Sequence, residues 1–120
     1  MKTKEKKLVL VVEDEEIVRN LLCRLLKVPD VDILSASNGQ EGLELFLQNQ
    51  NYIKIVITDM AMPVINGPTM VRKIREVNSD VAIVFMSGDL GVFIGDLPLA
   101  DAIFTKPIIR TELLERLVRL

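Results

Sequence analysis

Five short apolar runs alternate along the chain with stretches whose apolar residues recur every three to four positions, and few folds accept that alternation. Leu8–Val12 is a continuous, Val-rich run, the pattern of a strand buried on both faces. Val31–Ala36, Ile53–Thr58, Val81–Met86 and Ala102–Thr105 read as the other strands. Between them the period changes. Ile17, Leu21 and Leu25 recur with Val18, Leu22 and Leu26, a helical stripe over Glu15–Val28 that Pro29 and Asp30 end. Gly39–Gln48 reads as a helix with Leu43, Phe46 and Leu47 inward. Pro63 and Gly67 punctuate the loop after the third strand, and Pro68 suits a first helical position before the face marked by Met70, Val71 and Ile74. Arg110–Leu120 closes the chain as a helix with Leu113, Leu114, Leu117 and Val118 inward. Residues 88–98 fit no element well, because Gly88, Gly91, Gly95 and Pro98 fall in so short a span. Strands alternating with helices imply an α/β fold, a parallel sheet with helices on both faces. Ligands of such sheets bind beyond the carboxyl ends of the strands.

The rest of the sequence excludes several chemistries. With 120 residues the chain is one domain that can bury its own core. There is no histidine, which removes His-based metal sites and Ser-His-Asp triads. Cys23 is the single cysteine; it cannot form an internal disulfide, has no histidine base, and reads as an incidental thiol on the flank of the first helix. The net charge of −2 and the lack of a strong basic patch argue against nucleic-acid binding by this domain. No apolar run approaches the roughly 20 residues a membrane crossing needs, and Leu8–Val12 is too short for a signal-peptide core. A cytoplasmic domain is expected, with residues 1–7 as a solvated tail.

Function must then be sought at the strand ends. The first strand runs into Glu13-Asp14, the third into Asp59, the fourth into Ser87, and the fifth into Lys106-Pro107. Taken singly, each has a plain structural explanation. Glu13, Asp14, Glu15 and Glu16 favour the positive start of a helix; Asp59 and Ser87-Gly88 suit turns; Lys106 suits a solvated surface; Met60 and Met62 suit packing. Together they crowd one edge of one sheet. Two carboxylates about 4 Å apart repel by roughly 4 kcal/mol at an effective dielectric near 20. A divalent cation relieves that repulsion, and an all-oxygen donor set favours a hard ion such as Mg²⁺.

Four motifs in order then carry a resemblance: Val-Val-Glu-Asp-Glu-Glu at 11–16, Thr-Asp-Met-Ala-Met-Pro-Val-Ile-Asn-Gly at 58–67, Met-Ser-Gly at 86–88 and Thr-Lys-Pro at 105–107. From about Leu8 to its end the chain resembles the receiver domain of bacterial response regulators and hybrid histidine kinases. The resemblance implies a flavodoxin-like sheet in the order 2-1-3-4-5, with residues 8–120 as the receiver. It implies that Asp59 accepts a phosphoryl group from a phosphohistidine on a histidine kinase or histidine phosphotransfer protein. Asp14, Asp59 and the Ala61 carbonyl would ligate Mg²⁺ (or Mn²⁺), with Glu13 holding the ion through water. Lys106 and Ser87 would contact phosphoryl oxygens, and the Lys106-Pro107 bond would be cis. Such a domain catalyses only its own phosphorylation and dephosphorylation, and relays the state to an output domain or target.

The chain departs from the family at its output face. Receivers carry an aromatic residue three positions before the lysine; here Ile103 stands there, and the neighbouring Phe104 points to the opposite face. The span from Ser87 to Lys106 is short by nearly a helical turn, so the fourth helix is expected to be short or irregular and Leu90–Leu97 mobile or non-helical. Ala61 and Asp89 occupy the positions that tune hydrolysis of the phosphoryl group. Two rivals remain. A haloacid-dehalogenase-type phosphatase shares the Asp, Ser and Lys set, but has a second Asp where this chain has Ala61 and its acidic pair near the end. A receiver that no longer takes phosphate would be a pure binding module.

Overall fold

A computed structural model describes residues 7–88 and 90–119, with the side chains of all but 90–94 and 117–119. The five expected strands form: β1 (Lys7–Val12), β2 (Val31–Ala36), β3 (Ile53–Asp59), β4 (Ala82–Ser87) and β5 (Ala102–Thr105). They make one parallel sheet in the order β2-β1-β3-β4-β5. β1 begins one residue earlier than its apolar run, with Lys7 opposite Val31. The continuous apolar runs are explained by the period of two, which sends neighbours to opposite faces. Leu10 and Val12 enter one core with Val56, Ile83 and Phe85, whereas Val9 and Val11 enter the other with Ile55, Ile57, Val84 and Met86.

Helices α1 (Glu16–Leu25) and α4 (Arg110–Arg119) cover the face of Val9 and Val11, through Leu22 and Leu113. Helices α2 (Gly39–Asn49) and α3 (Gly67–Val77) cover the other, through Phe46, Met70, Val71 and Ile74. Asn38 and Asn66 cap these two, accepting from the amides of Glu41 at 2.8 Å and Thr69 at 2.9 Å. Pro68 sits in the first turn of α3 as expected. The α1 stripe is narrower than its sequence suggests. Leu22 and Leu26 are buried and Val18 and Leu25 half-buried, but Ile17 is 84% and Leu21 53% exposed. At 100° per residue the Ile17–Leu21 row lies about 100° around the helix from the Val18–Leu22 row, beyond reach of the sheet. Leu47 is exposed for the same reason, about 100° on from buried Phe46. α1 also ends at Leu25, before Pro29. Leu113 is buried and Leu114 half-buried as expected, and the side chains of Leu117 and Val118 lie outside the described residues.

The fourth crossover is not an α-helix. Leu90–Leu99 forms a run of 3-10 turns, with Pro98 near its end. Gly91 and Gly95 each disfavour an α-helix by about 1 kcal/mol relative to alanine, and Pro98 lacks the N–H that would extend it. Leu97 and Leu99 pack on the core of the α2–α3 face. Arg75 of α3 ties this segment down. Its guanidinium donates to the carbonyls of Ser79 at 2.8 Å, Val81 at 2.6 Å and Leu99 at 3.4 Å, and pairs with Asp101 at 3.2 Å. Asp101 in turn accepts from the amide of Ile83 at 2.7 Å. A second pair, Arg72–Asp96, joins the same two elements. The expected irregular crossover is therefore present, and it is tethered to α3 by side chains as well as by packing. Replacing Arg75 by alanine should lower stability by about 1–3 kcal/mol, since it strips charged donors from three carbonyls. A urea midpoint equal to that of wild type would show that the clamp carries no weight.

Candidate functional site

The parallel register brings the strand-end residues together. Asp59 is the last residue of β3 and lies opposite Met86, one before Ser87 on β4. Ser87 lies opposite Thr105, one before Lys106, and the Lys106 amide donates to the Ser87 carbonyl at 2.9 Å. The Lys106-Pro107 bond is cis, as the resemblance implied. Lys106 reaches across the edge of the sheet: its Nζ lies 2.9 Å from Asp59 Oδ2 and 3.3 Å from Glu13 Oε1. The other Asp59 oxygen, Oδ1, accepts from the Met60 amide at 2.8 Å. Asp59 and Ser87 are buried and Glu13 is fully so, while Asp14 beside it is exposed.

Gly67 makes the close packing behind Asp59 possible. A Cβ there would stand 2.2 Å from the Asp59 carbonyl oxygen and 3.1 Å from Met60 Cα, both backbone atoms that cannot step aside. The loop between them turns through Val64, whose φ of 73° is in the left-handed region that a β-branched residue rarely adopts. Its amide link closes when Gly67 N–H donates to the Met60 carbonyl at 2.9 Å.

Glu13, Asp14 and Asp59 each offer a carboxylate oxygen, and these atoms lie within 4.8 Å of one another. Glu13 Oε2 is buried without a hydrogen-bond partner. An orphaned buried carboxylate oxygen beside two further acids fits a hard cation, which would remove both the repulsion and the orphan. Burial first, then the hydrogen bond and charge of Asp59, push the Glu13 carboxyl up to about 8 from its ordinary 4.5, against the opposing pull of Lys106. Burial works to lower the Lys106 pKa, but the hydrogen bonds and charges of Asp59 and Glu13 outweigh it and raise it.

Two expected residues stand apart from this cluster. Ile103 is on the exposed face of β5, opposite Phe85, and lines an open groove with Thr105, Ile109 and Glu112. Phe104 alternates inward and is buried. Ala61 is exposed in the loop directly after Asp59-Met60, and Asp89 lies outside the described residues. The half-buried Cys23 thiol is pushed up by burial, as an inert thiol would be. Sequence reasoning missed Arg19, which donates from Nη1 to the Glu13 carbonyl at 2.9 Å. It also missed Thr58, fully buried, whose hydroxyl donates to the Asp59 carbonyl at 2.8 Å. Arg19 left a faint signal, a lone cation one turn after four consecutive acids; Thr58 left none beyond its place in the motif.

A model of the response regulator receiver domain matches residues 9–118. The chain belongs to that family. The receiver is 37% identical over 97 residues to the sensor kinase CckA of Brucella abortus, covering 80% of this chain and 10% of that one. It is 34% identical to the two-component response regulator ORR42 of rice (Oryza sativa subsp. japonica), covering 92% of this chain and 83% of its relative. It thus spans about a tenth of the kinase it matches and most of the rice regulator. Among solved structures, response regulator protein TrrA of Thermotoga maritima, in complex with Mg(2+)-BeF, superposes with a TM-score of 0.85 at 30% identity, over 94% of this chain and 97% of that one. Membership of the receiver family sets the phosphatase reading aside. No helix among the described residues is long and apolar enough to cross a membrane.

The raised Glu13 pKa sets a pH dependence. The folded receiver holds this proton more tightly than the unfolded chain, so the stability it lends is fully present below about 4.5 and is lost as pH rises through about 8. In metal-free buffer, wild type should lose stability across that window relative to Glu13→Gln, which stays neutral. Parallel urea midpoints for the two proteins would contradict the assignment.

Proposed function

We propose that this receiver takes a phosphoryl group onto Asp59 from a phosphohistidine donor, and that the observation carrying the reading is the contact of Lys106 Nζ with Asp59 Oδ2 at 2.9 Å. A lysine aimed at a buried acid from the neighbouring-but-one strand serves no packing purpose that a shorter or apolar residue would not serve better. In the reaction, a carboxylate oxygen of Asp59 forms a bond to phosphorus while the bond from phosphorus to the donor imidazole nitrogen breaks, the electron pair leaving with nitrogen. Asp59 Oδ1 is oriented by the Met60 amide. Lys106 leaves its salt bridge with Asp59 Oδ2 to neutralise a phosphoryl oxygen, and Ser87 hydrogen-bonds another. Glu13, Asp14, Asp59 and the Ala61 carbonyl would hold Mg²⁺ or Mn²⁺, which supplies further charge neutralisation to the transferring group. Transfer then depends on positioning and charge, since the protein makes only one covalent bond.

The product places about −1.5 to −2 charges at the end of β3. Ser87 follows that charge, drawing on β4 and the crossover behind it, and Ile103 on the exposed face of β5 stands where the change is read. The domain acts on itself and turns over no external substrate. Its partners are a histidine kinase or histidine phosphotransfer protein and an output domain or target; it acts in the cytoplasm and neither binds nucleic acid directly nor enters membranes. Residues 8–120 form the working receiver, and Lys7 joins it as the first residue of β1.

Incubation with a small acyl phosphate and Mg²⁺ should add the mass of one phosphoryl group. Asp59→Asn should abolish the gain, and chelation of the cation should suppress it. An equal gain in Asp59→Asn would overturn the assignment of the acceptor.

A further inference from the structure

The backbone of Glu13 is held through both of the peptide groups that flank it. Its amide donates to the Ala36 carbonyl of β2 at 3.0 Å. Its carbonyl accepts from Arg19 Nη1 at 2.9 Å, six residues on and one turn into α1. That carbonyl belongs to the peptide joining Glu13 to Asp14. Glu13 has a second constraint, because its side chain is fully buried against Lys106 and Asp59. Asp14 has none of this: its side chain is exposed. The Glu13–Asp14 peptide plane helps set the direction in which the Asp14 carboxylate leaves the backbone, and the half-buried Arg19 guanidinium holds that plane from the helix side.

We propose that Arg19 is a positioning residue for the cation site, acting through the Glu13 carbonyl to aim the Asp14 carboxylate at Asp59 and Glu13. The inference rests on the reading of these three acids as the holders of a divalent cation. Arg19 touches neither the cation nor the phosphoryl group. Its loss frees the peptide to rotate, so the cost falls on assembling the ligand set. Groups bonded directly to metal ligands shift metal affinity by about 10–100-fold when lost, and Arg19, which acts one step further out through the main chain, belongs at or below the lower end of that range. The positive charge also sits one turn from four consecutive acids and offsets their repulsion when the cation is absent.

The test is Mg²⁺ titration by calorimetry on wild type, Arg19→Met and Arg19→Lys, followed by acyl phosphate loading at low and at saturating Mg²⁺. Arg19→Met should raise the Mg²⁺ Kd by up to about tenfold. Arg19→Lys, which keeps a cationic donor on a long stem, should recover most of the affinity. At saturating Mg²⁺ the loading rate of Arg19→Met should return to the wild-type rate, a split that general loosening of the fold would not give. Arg19→Gln, a milder change that keeps an N–H donor, serves if Arg19→Met does not fold, and should show the same loss to a smaller degree. A wild-type Kd in either neutral variant overturns the role of Arg19. So does a loading rate that stays low at saturating Mg²⁺, which assigns Arg19 a different role. Wild-type protein that bound no Mg²⁺ would overturn the reading of the acids as a cation site, and the role of Arg19 with it.

Discussion

The ammonium of Lys106, shared between Asp59 Oδ2 and Glu13 Oε1, is what allows two buried carboxylates to stand side by side at the edge of the sheet. These partners are separated by 47 and 93 residues in the chain, so no local structure could assemble them. Parallel pairing does: each strand passes its last residue to the same edge, and β3, β4 and β5 are in register to within one residue there. The arrangement carries its own tension. Lys106 cannot satisfy every oxygen, and Glu13 Oε2 is left with no partner. Burial and the nearness of Asp59 hold a proton on Glu13 well above the usual carboxylate range. A site with surplus negative charge and an orphaned oxygen is poised to take up positive charge. The same buried pair would be a poor choice for stability alone, because desolvation offsets most of its attraction.

Much of the fold was legible because the sheet is buried on both faces. Apolar runs such as Leu8–Val12 and Ile53–Thr58 mark such strands without ambiguity once helical stripes separate them. Glycine and proline marked the crossover at Leu90–Leu99 as irregular, and it is a 3-10 segment. What the sequence did not carry was how much of each helix meets the sheet. Ile17, Leu21 and Leu47 are as apolar as Leu22 and Phe46, and only the helix position relative to the sheet decides that they face outward. Nor did it show Arg75 and Asp101 holding the crossover to α3, since that contact spans 26 residues and joins side chains of ordinary surface type.

The site was legible to the extent that its residues sit at strand ends. Glu13, Asp59, Ser87 and Lys106 could be placed on one edge from strand boundaries alone, and the structure gathers them there. Which of the acids is buried could not be read: Glu13 and Asp14 are neighbours of the same charge, yet one is enclosed and the other open. Both lie past the end of β1 at Val12, where no strand alternation tells one side chain from the next. Backbone contacts were the least visible. The Arg19 bond to the Glu13 carbonyl and the close approach of Gly67 to Asp59 depend on positions of main-chain atoms that no residue type announces.

Under the proposed function, the carboxyl group of Asp59, and no other in the cluster, forms the acyl phosphate. Borohydride reduces an acyl phosphate to the corresponding alcohol and leaves free carboxylates untouched, so it records the phosphorylated residue permanently. Protein loaded with a small acyl phosphate and Mg²⁺, reduced and digested, should show the reduced side chain at position 59 by fragment mass analysis. Reduction at Asp14, Glu13 or any other carboxyl, with Asp59 unmodified, would contradict the account.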